Sequence, residues 1–436
     1  MYRLITNKFV QWKTSSNRKP LIVRGARQVG KSYSIMSFGQ DYYDGVVHCI
    51  NFEKRPEFHS VFEPNFDMVR IVDELEILLN KKIVPDEDLL FFDEVQECPK
   101  AIAALRYFYE QTSDIHVIAA GSLLEFSLKD ISFPVGRVHL LNMYPMNFYE
   151  FLLAVDQTLL ADFLLKNPVK LSEPVHVKMM EWLRKYFFIG GMPECVKTFA
   201  TTRSMKDVVD IQADLVGTFR QDFNKYAGKA DKSCLDAVLL NAAQKVGSQI
   251  KYAELAVGFS NPTIKKAFEL LETAQLIKKV KAASPAGIPL GATASEKKFK
   301  AVMLDIGLMA NLCGLNLARD YLSTELLAVF RVAMAEQFVG QEILSATNSD
   351  LYYWSREKAG SNAETDYLMA PRGEIIPVEV KSGKGGSIKS LHVLLDKYQN
   401  INRALVFSDA PFGQLEDQKI TFLPLYYVYS STIEEL

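Results

Sequence analysis

The chain has little cysteine and no excess of charge of either sign. Its 436 residues carry five cysteines, Cys49, Cys98, Cys195, Cys234 and Cys313, scattered and without a C-x-x-C pair. An odd, unspaced set excludes a disulfide framework and a structural zinc site, and fits a reducing, cytoplasmic setting. Lys and Arg number 50 against 52 Asp and Glu. That balance excludes whole-chain attraction to a polyanion and leaves only local basic patches for contact with DNA or RNA. Long apolar runs are missing too. None reaches bilayer length, and Met1-Tyr2-Arg3-Leu4-Ile5-Thr6-Asn7-Lys8 has no signal-peptide core, so a soluble protein without membrane contact is expected. What is present is ordinary core-building material, 48% hydrophobic and 23% charged residues, in a chain too long for one core. Several domains are expected.

The most informative stretch is Gly25-Ala26-Arg27-Gln28-Val29-Gly30-Lys31-Ser32, which reads G-x-x-x-x-G-K-S between an apolar strand, Leu21-Ile22-Val23-Arg24, and a helix-compatible run. The glycines let the backbone curl so that its N–H groups face phosphate oxygens, Lys31 reaches the outer phosphates, and Ser32 offers a hydroxyl to Mg²⁺. ATP with Mg²⁺ is the ligand this implies. Apolar runs at 21–24, 46–52, 89–95, 116–122 and 139–144 alternate with helix-like segments, which predicts an α/β fold with a parallel sheet covered on both faces.

The third run ends in Asp93-Glu94, the form of a Walker B element: Asp93 to hold Mg²⁺ through its water shell, Glu94 to orient the attacking water. The fourth ends in Ser122, a candidate sensor of the γ-phosphate. Gly136-Arg137 precedes the fifth. Arg137 has two readings, an arginine finger reaching a neighbouring copy in a homo-oligomer, or one half of an intramolecular salt bridge.

This order, followed by Tyr144-Pro145-Met146-Asn147-Phe148-Tyr149-Glu150-Phe151-Leu152 and by Gly190-Gly191-Met192-Pro193-Glu194, resembles a group of bacterial and archaeal AAA+ superfamily ATPases with an uncharacterised C-terminal domain. The resemblance implies ATP binding and hydrolysis by an AAA+ P-loop domain over residues 1–155. Read from its residues alone, Gly-Gly-Met-Pro-Glu is a glycine turn with a proline at a helix start.

Residues 156–230 are dominated by helix-period segments and read as a helical lid or connector. In 231–322, amphipathic segments at 235–246, 252–257 and 262–274, the last capped by Ser260 or Asn261, precede strands at 276–281 and 298–304. Three helices and a hairpin describe a winged helix. Its lysines, Lys265, Lys266, Lys278, Lys279, Lys281, Lys297, Lys298 and Lys300, either neutralise nucleic-acid phosphates or are the surface of a packing module.

From 323 to 436 the pattern resets to a helix at 325–347 carrying Glu336, strands at 351–355, 365–369 and 375–381, and a helix at 387–398. Residues two apart in a strand share a face, so Glu379 and Lys381 project together, and a hairpin brings Asp366 beside Glu379. Asp366 and Glu379 can hold a metal ion with Glu336 as a further ligand, while Lys381 activates water or steadies a phosphate. The arrangement resembles the PD-(D/E)XK nuclease fold, with Thr365 where that motif has proline. The same residues can equally form an ion-pair network. Two functions follow: an ATP-driven enzyme that grips or cuts nucleic acid, or a nucleotide-dependent switch that binds a protein partner through a catalytically inactive nuclease-like domain.

Overall fold

The short apolar runs of the first third become the strands of one sheet. The computed structural model describes residues 1–122, 124, 134, 136–226, 231–315, 327–358, 361–381 and 388–434, and the chain divides into two units, Met1–Tyr144 and Pro145–Leu436.

In the first unit the strands are β1 (Leu21–Arg24), β2 (Val47–Asn51), β3 (Leu89–Asp93), β4 (His116–Gly121) and β5 (His139–Asn142). Their order is β2-β3-β4-β1-β5 and every pairing is parallel. Helices α1 (Ile5–Lys13), α2 (Lys31–Tyr42), α3 (Met68–Leu79) and α4 (Pro99–Gln111) accompany them. Strands covered on both faces have no polar side to present, which is why β4 is buried along its whole length and β3 is buried up to Asp93. Phe92 of β3 meets Phe52, Phe62 and Phe108 with ring centroids 5.5, 5.8 and 5.9 Å away, fixing β3 against its neighbours. Because all five strands run the same way, the loop after Arg24 and the ends Asn51, Asp93 and Gly121 gather at one edge of the sheet. That edge is where parallel α/β sheets bind ligands.

The second unit opens with α5 (Phe148–Ala154), α6 (Thr158–Leu164), α7 (Glu173–Ile189), α8 (Pro193–Thr202) and α9 (Met205–Tyr226). The expected proline start after the glycine pair is the first turn of α8. Next come α10 (Lys232–Gln244), a single 3₁₀ turn Tyr252–Glu254, and α11 (Asn261–Thr273), which Ser260 caps through its side chain. The expected second helix of the three is only that turn, and Asn241 takes up the Leu255 carbonyl at its end (2.8 Å). Helices α12 (Ile306–Leu312), α13 (Leu327–Thr347), α14 (Lys389–Lys397) and α15 (Val428–Glu434) follow among the described residues. The expected starts at 325 and at Ser387, and the boundary at 322, lie outside the described residues.

Strands β6 (Ile277–Ala282), β7 (Ser295–Met303), β8 (Tyr352–Lys358), β9 (Ser361–Met369), β10 (Ile376–Val380), β11 (Ala404–Ser408), β12 (Gly413–Leu415) and β13 (Ile420–Pro424) form one sheet, in the order β12-β13-β11-β10-β9-β8-β6-β7. The β6–β7 hairpin, expected in a domain of its own over 231–322, is therefore continuous with the strands of 323–436 through the β6–β8 pairing. The β9–β10 pairing is antiparallel, as the hairpin argument requires.

Candidate functional site

At the strand ends of the first unit, the chain leaves β1 at Gly25 and enters α2 at Lys31. Gln28 and Gly30 both have positive φ, 64° and 94°. Glycine occupies the first position for want of space, since a Cβ on Gly25 would stand 2.4 Å from the Met143 carbonyl oxygen. Ala26 and Val29 are buried and anchor the loop from inside. Arg3 holds it from below, donating from Nη1 to the Val29 carbonyl (2.8 Å) and from Nη2 to the Tyr144 carbonyl (2.7 Å).

Inside the loop, the Lys31 ammonium donates to the carbonyls of Gly25 (2.8 Å) and Ala26 (2.9 Å). Ser32 Oγ donates to Asp93 Oδ1 at 2.8 Å, and Asn51 donates to Asp93 Oδ2 at 2.9 Å. The structure thus joins the P-loop serine to the acid that ends β3. A hydroxyl and a carboxylate in contact are hard oxygen donors of the kind Mg²⁺ takes, and they fit it. Glu94 sits just beyond with φ 49°, and its carboxylate accepts from the Gln96 amide at 2.7 Å. Ser122 is buried and receives a hydrogen bond from Arg27 Nε at 3.3 Å. Lys31, Ser32, Asp93, Glu94 and Ser122 are brought to one edge. Arg137 instead pairs with Glu110 at 2.8 Å, the intramolecular alternative, in a half-exposed position. Sequence reasoning missed Arg3, Asn51 and Gln96. Only Asn51 carries a signal there, as a polar residue inside an apolar strand.

In the second unit, Asp366 and Glu379 come side by side one step beyond the Val378–Tyr367 pair of the β9–β10 ladder. Asp366 Oδ2 accepts the Val380 N–H at 2.8 Å, and Lys381 Nζ donates to Glu379 Oε1 at 2.5 Å. Helix α13 adds Glu336, as expected. The unexpected member is Lys300, from β7 of the hairpin. Its Nζ lies 3.0 Å from Asp366 Oδ1, 3.2 Å from Glu336 Oε2 and 2.6 Å from Glu364 Oε1, with the side chain only 2% exposed. Gln249 donates to the second oxygen of Glu364 at 2.6 Å.

Burial alone would lower the Lys300 pKa, but Asp366, Glu336 and Glu364 outweigh it and hold it well above the usual value. Burial and then Asp366 push Glu336 up to about 8 and Glu379 up to about 7. A metal ion does not fit this pocket as it stands. Lys300 occupies the point where the Glu364, Asp366 and Glu336 carboxylates converge, and with the side chains so arranged no group of three or more His, Cys, Asp or Glu among the described residues could hold a metal ion. The three carboxylates expected to hold a metal ion are here in ion pairs, Asp366 and Glu336 with Lys300 and Glu379 with Lys381.

Four further lysines of α11 and the hairpin are similarly paired. Lys265 pairs with Glu269, Lys278 with Asp350 and Lys281 with Glu296, at 3.7, 2.8 and 2.7 Å. Lys279 is buried among the rings of Tyr252, Phe268 and Phe299, with Glu272 and Glu296 each 3.9 Å away. With Lys300, five of the eight lysines read as phosphate contacts have acid partners within the unit.

Residues 17–152 match the family described as AAA domain, and 180–319 and 332–428 each match a domain of unknown function (DUF8612 and DUF4143). The first stretch, with its P-loop sequence and parallel sheet, is an AAA-type P-loop domain. No curated protein matches the chain. Similar solved structures include the Holliday junction branch migration motor RuvB of Thermotoga maritima, 16% identical over 63% of this chain and 88% of that one, with a TM-score of 0.29. The ORC1 protein of Aeropyrum pernix, solved in complex with DNA, is 10% identical over 73% and 92%, with a TM-score of 0.28. A signal transduction ATPase with a tetratricopeptide repeat sensor from Pyrococcus horikoshii is 11% identical over 80% and 46%, also at 0.28. Among the described residues, no helix is long and apolar enough to cross a membrane.

Proposed function

We propose that the chain binds and hydrolyses ATP and that this cycle acts on its C-terminal unit. The observation that carries the reading is the Ser32–Asp93 hydrogen bond of 2.8 Å, with Glu94 next in the chain. Bound Mg²⁺–ATP would supply the γ-phosphoryl group and the charge that Ser32 and Asp93 answer. Lys31 exchanges the Gly25 and Ala26 carbonyls for phosphate oxygens, and the N–H groups at the start of α2 bind the same charge. Glu94 would accept a proton from the attacking water, and Ser122 would sense the outer phosphate. Lys31→Ala is expected to lose ATP affinity, and Glu94→Gln to bind ATP yet hydrolyse it slowly. Retained turnover in both variants would sink the assignment.

For the C-terminal unit, the Lys300 pairings favour a nucleotide-dependent switch that binds a protein partner over a unit that cuts DNA or RNA. The expected result is no cleavage of single- or double-stranded DNA or RNA by the wild type with Mg²⁺ or Mn²⁺. Cleavage that disappears in Lys381→Ala would reverse the preference. A homo-oligomer in which Arg137 serves a neighbour requires its Glu110 pair to open. ATP turnover per chain that rises with protein concentration, and is lost in Arg137→Ala, would support it.

A further inference from the structure

We infer that the Lys300 ammonium stands permanently in the place of a divalent cation in the carboxylate pocket of the C-terminal unit. The pocket is then a metal-independent clasp fastening the β6–β7 hairpin to α13 and β9, and removal of that ammonium converts it into a cation site. The inference rests on the reading of this unit as non-cleaving and extends it to a residue and a mechanism.

Three oxygens from three side chains converge on one nitrogen: Glu364 at 2.6 Å, Asp366 at 3.0 Å and Glu336 at 3.2 Å. Two come from β9 and one from α13, while the nitrogen arrives from the hairpin. Convergence of carboxylates from separate elements is how a protein builds a site for a hard cation. Here the cation is covalently part of the chain. The surrounding groups complete it as a closed network: Gln249 fills Glu364, the Val380 N–H fills Asp366, and Lys381 fills one oxygen of Glu379. The other oxygen, Glu379 Oε2, is buried and has no hydrogen-bond partner among the described residues. A positive charge that enters while Lys300 stays is repelled at close range in a medium that screens poorly. Lys300 and a divalent cation therefore exclude one another. Gly247 supports the same geometry, with positive φ (82°) and a Cβ position 3.2 Å from Glu336 Oε1.

The clasp also explains why the hairpin belongs to the sheet. The β6–β8 pairing is short, Lys281 to Tyr352 and Ala282 to Tyr353. The ion pairs of Lys300 add a second tie between hairpin and sheet from the interior. Breaking one side of such a buried cluster leaves uncompensated charge, so the clasp is costly to open.

The test uses the nucleotide-free full chain and Mn²⁺ as the probe, followed by electron paramagnetic resonance and thermal unfolding. Lys300→Ala, which removes the charge and leaves room, should bind Mn²⁺ at least about tenfold more tightly than the wild type and gain melting temperature on adding it. Lys300→Met, which removes the charge but fills the space, should be destabilised with no such gain. Asp366→Asn added to Lys300→Ala should abolish the binding. A Lys300→Ala protein that folds and binds Mn²⁺ no better than the wild type overturns the inference, while leaving the non-cleaving reading intact. Should the Lys300 variants not fold, Mn²⁺ binding to the chain with Lys300 in place decides. Stoichiometric Mn²⁺ that persists in Ser32→Ala and is lost in Asp366→Asn overturns the inference, and its absence upholds it. Nucleic-acid cleavage by the wild type would instead break the reading on which the inference rests.

Discussion

Gly191 and Met146 lie so close that a Cβ on Gly191 would stand 1.9 Å from the Met146 carbonyl oxygen. The two backbones are also tied, with the Met146 N–H donating to the Gly191 carbonyl at 2.7 Å. The Gly191 N–H donates to buried Asp305 at 2.6 Å, and the Tyr186 hydroxyl donates to the Met146 carbonyl at 2.6 Å. Gln341 donates in turn to Tyr186 at 2.8 Å. Four distant segments of the second unit thus meet at the Gly-Gly-Met-Pro-Glu turn, which gives that sequence a packing role. Gly191→Ala is expected to cost more than about 4 kcal/mol or to prevent folding. Pro193→Ala, which removes only a favourable helix start, should cost under about 1 kcal/mol. Urea unfolding of the two variants checks this, and equal stability would show that the contact relaxes freely.

Much of the first unit was legible because its chemistry is local. The loop 25–32, the acids at 93 and 94 and the apolar runs each sit within a few residues, and a parallel sheet makes the rest follow. The partners that tune it, Asn51 and Gln96, were hidden because a single amide in a sequence does not say which carboxylate it will face. In the second unit the strands around Asp366 and Glu379 were legible from alternation, and Glu336 from its helix. A winged helix would put Lys300 on the surface of its wing. Nothing in Lys298-Phe299-Lys300 says that Lys300 will be buried against carboxylates of β9 and α13, and that is a long-range fact. The strands after Tyr398 were not legible, since they complete a sheet whose size the sequence does not announce.

The Ser32–Asp93 bond sets a second expectation. Ser32→Ala removes a hydroxyl that touches the acid directly, so Mg²⁺-dependent ATP turnover should fall about 10- to 100-fold, partly rescued by raising Mg²⁺. Asn51→Ala leaves Asp93 Oδ2 without its donor and should lower turnover by about tenfold. Turnover measured against Mg²⁺ concentration distinguishes the two. Unchanged Mg²⁺ dependence in Ser32→Ala would remove Ser32 from the metal's surroundings.

Gln96 acts on the reaction through Glu94. It donates to the Glu94 carboxylate at 2.7 Å, and Glu94 itself holds a left-handed backbone conformation, φ 49°, that side chains rarely adopt. Gln96→Ala should lower kcat by about tenfold and leave KM unchanged, because the glutamate remains but is no longer aimed. Gln96→Glu should be worse, since two carboxylates then face one another. A change confined to KM would place Gln96 in nucleotide binding instead.

The last expectation concerns pH. Glu342 is fully buried; burial first, and then nearby Glu150, raises its pKa from 4.5 to about 8, against the hydrogen bond it accepts from the Phe148 N–H at 3.0 Å. Its other oxygen has no hydrogen-bond partner among the described residues. The folded state therefore keeps a proton that the unfolded chain releases above pH 4.5, so the stability linked to Glu342 is fully present below that pH and is lost as pH rises through about 8. Each tenfold difference in proton affinity between the folded and unfolded chain is worth about 1.4 kcal/mol, so the loss is on the order of a few kcal/mol. Burial raises the Glu336 and Glu379 carboxyls in the same direction. Glu342→Gln keeps an oxygen for the Phe148 N–H and has no proton to lose. It should match the wild type within about 1 kcal/mol near pH 5 and exceed it near pH 8.5, with a flatter slope between, because only the charged carboxylate bears the cost of burial. Urea unfolding across that range measures it. A Glu342→Gln protein whose stability falls as steeply as the wild type's would show that Glu342 keeps its charge in the folded state.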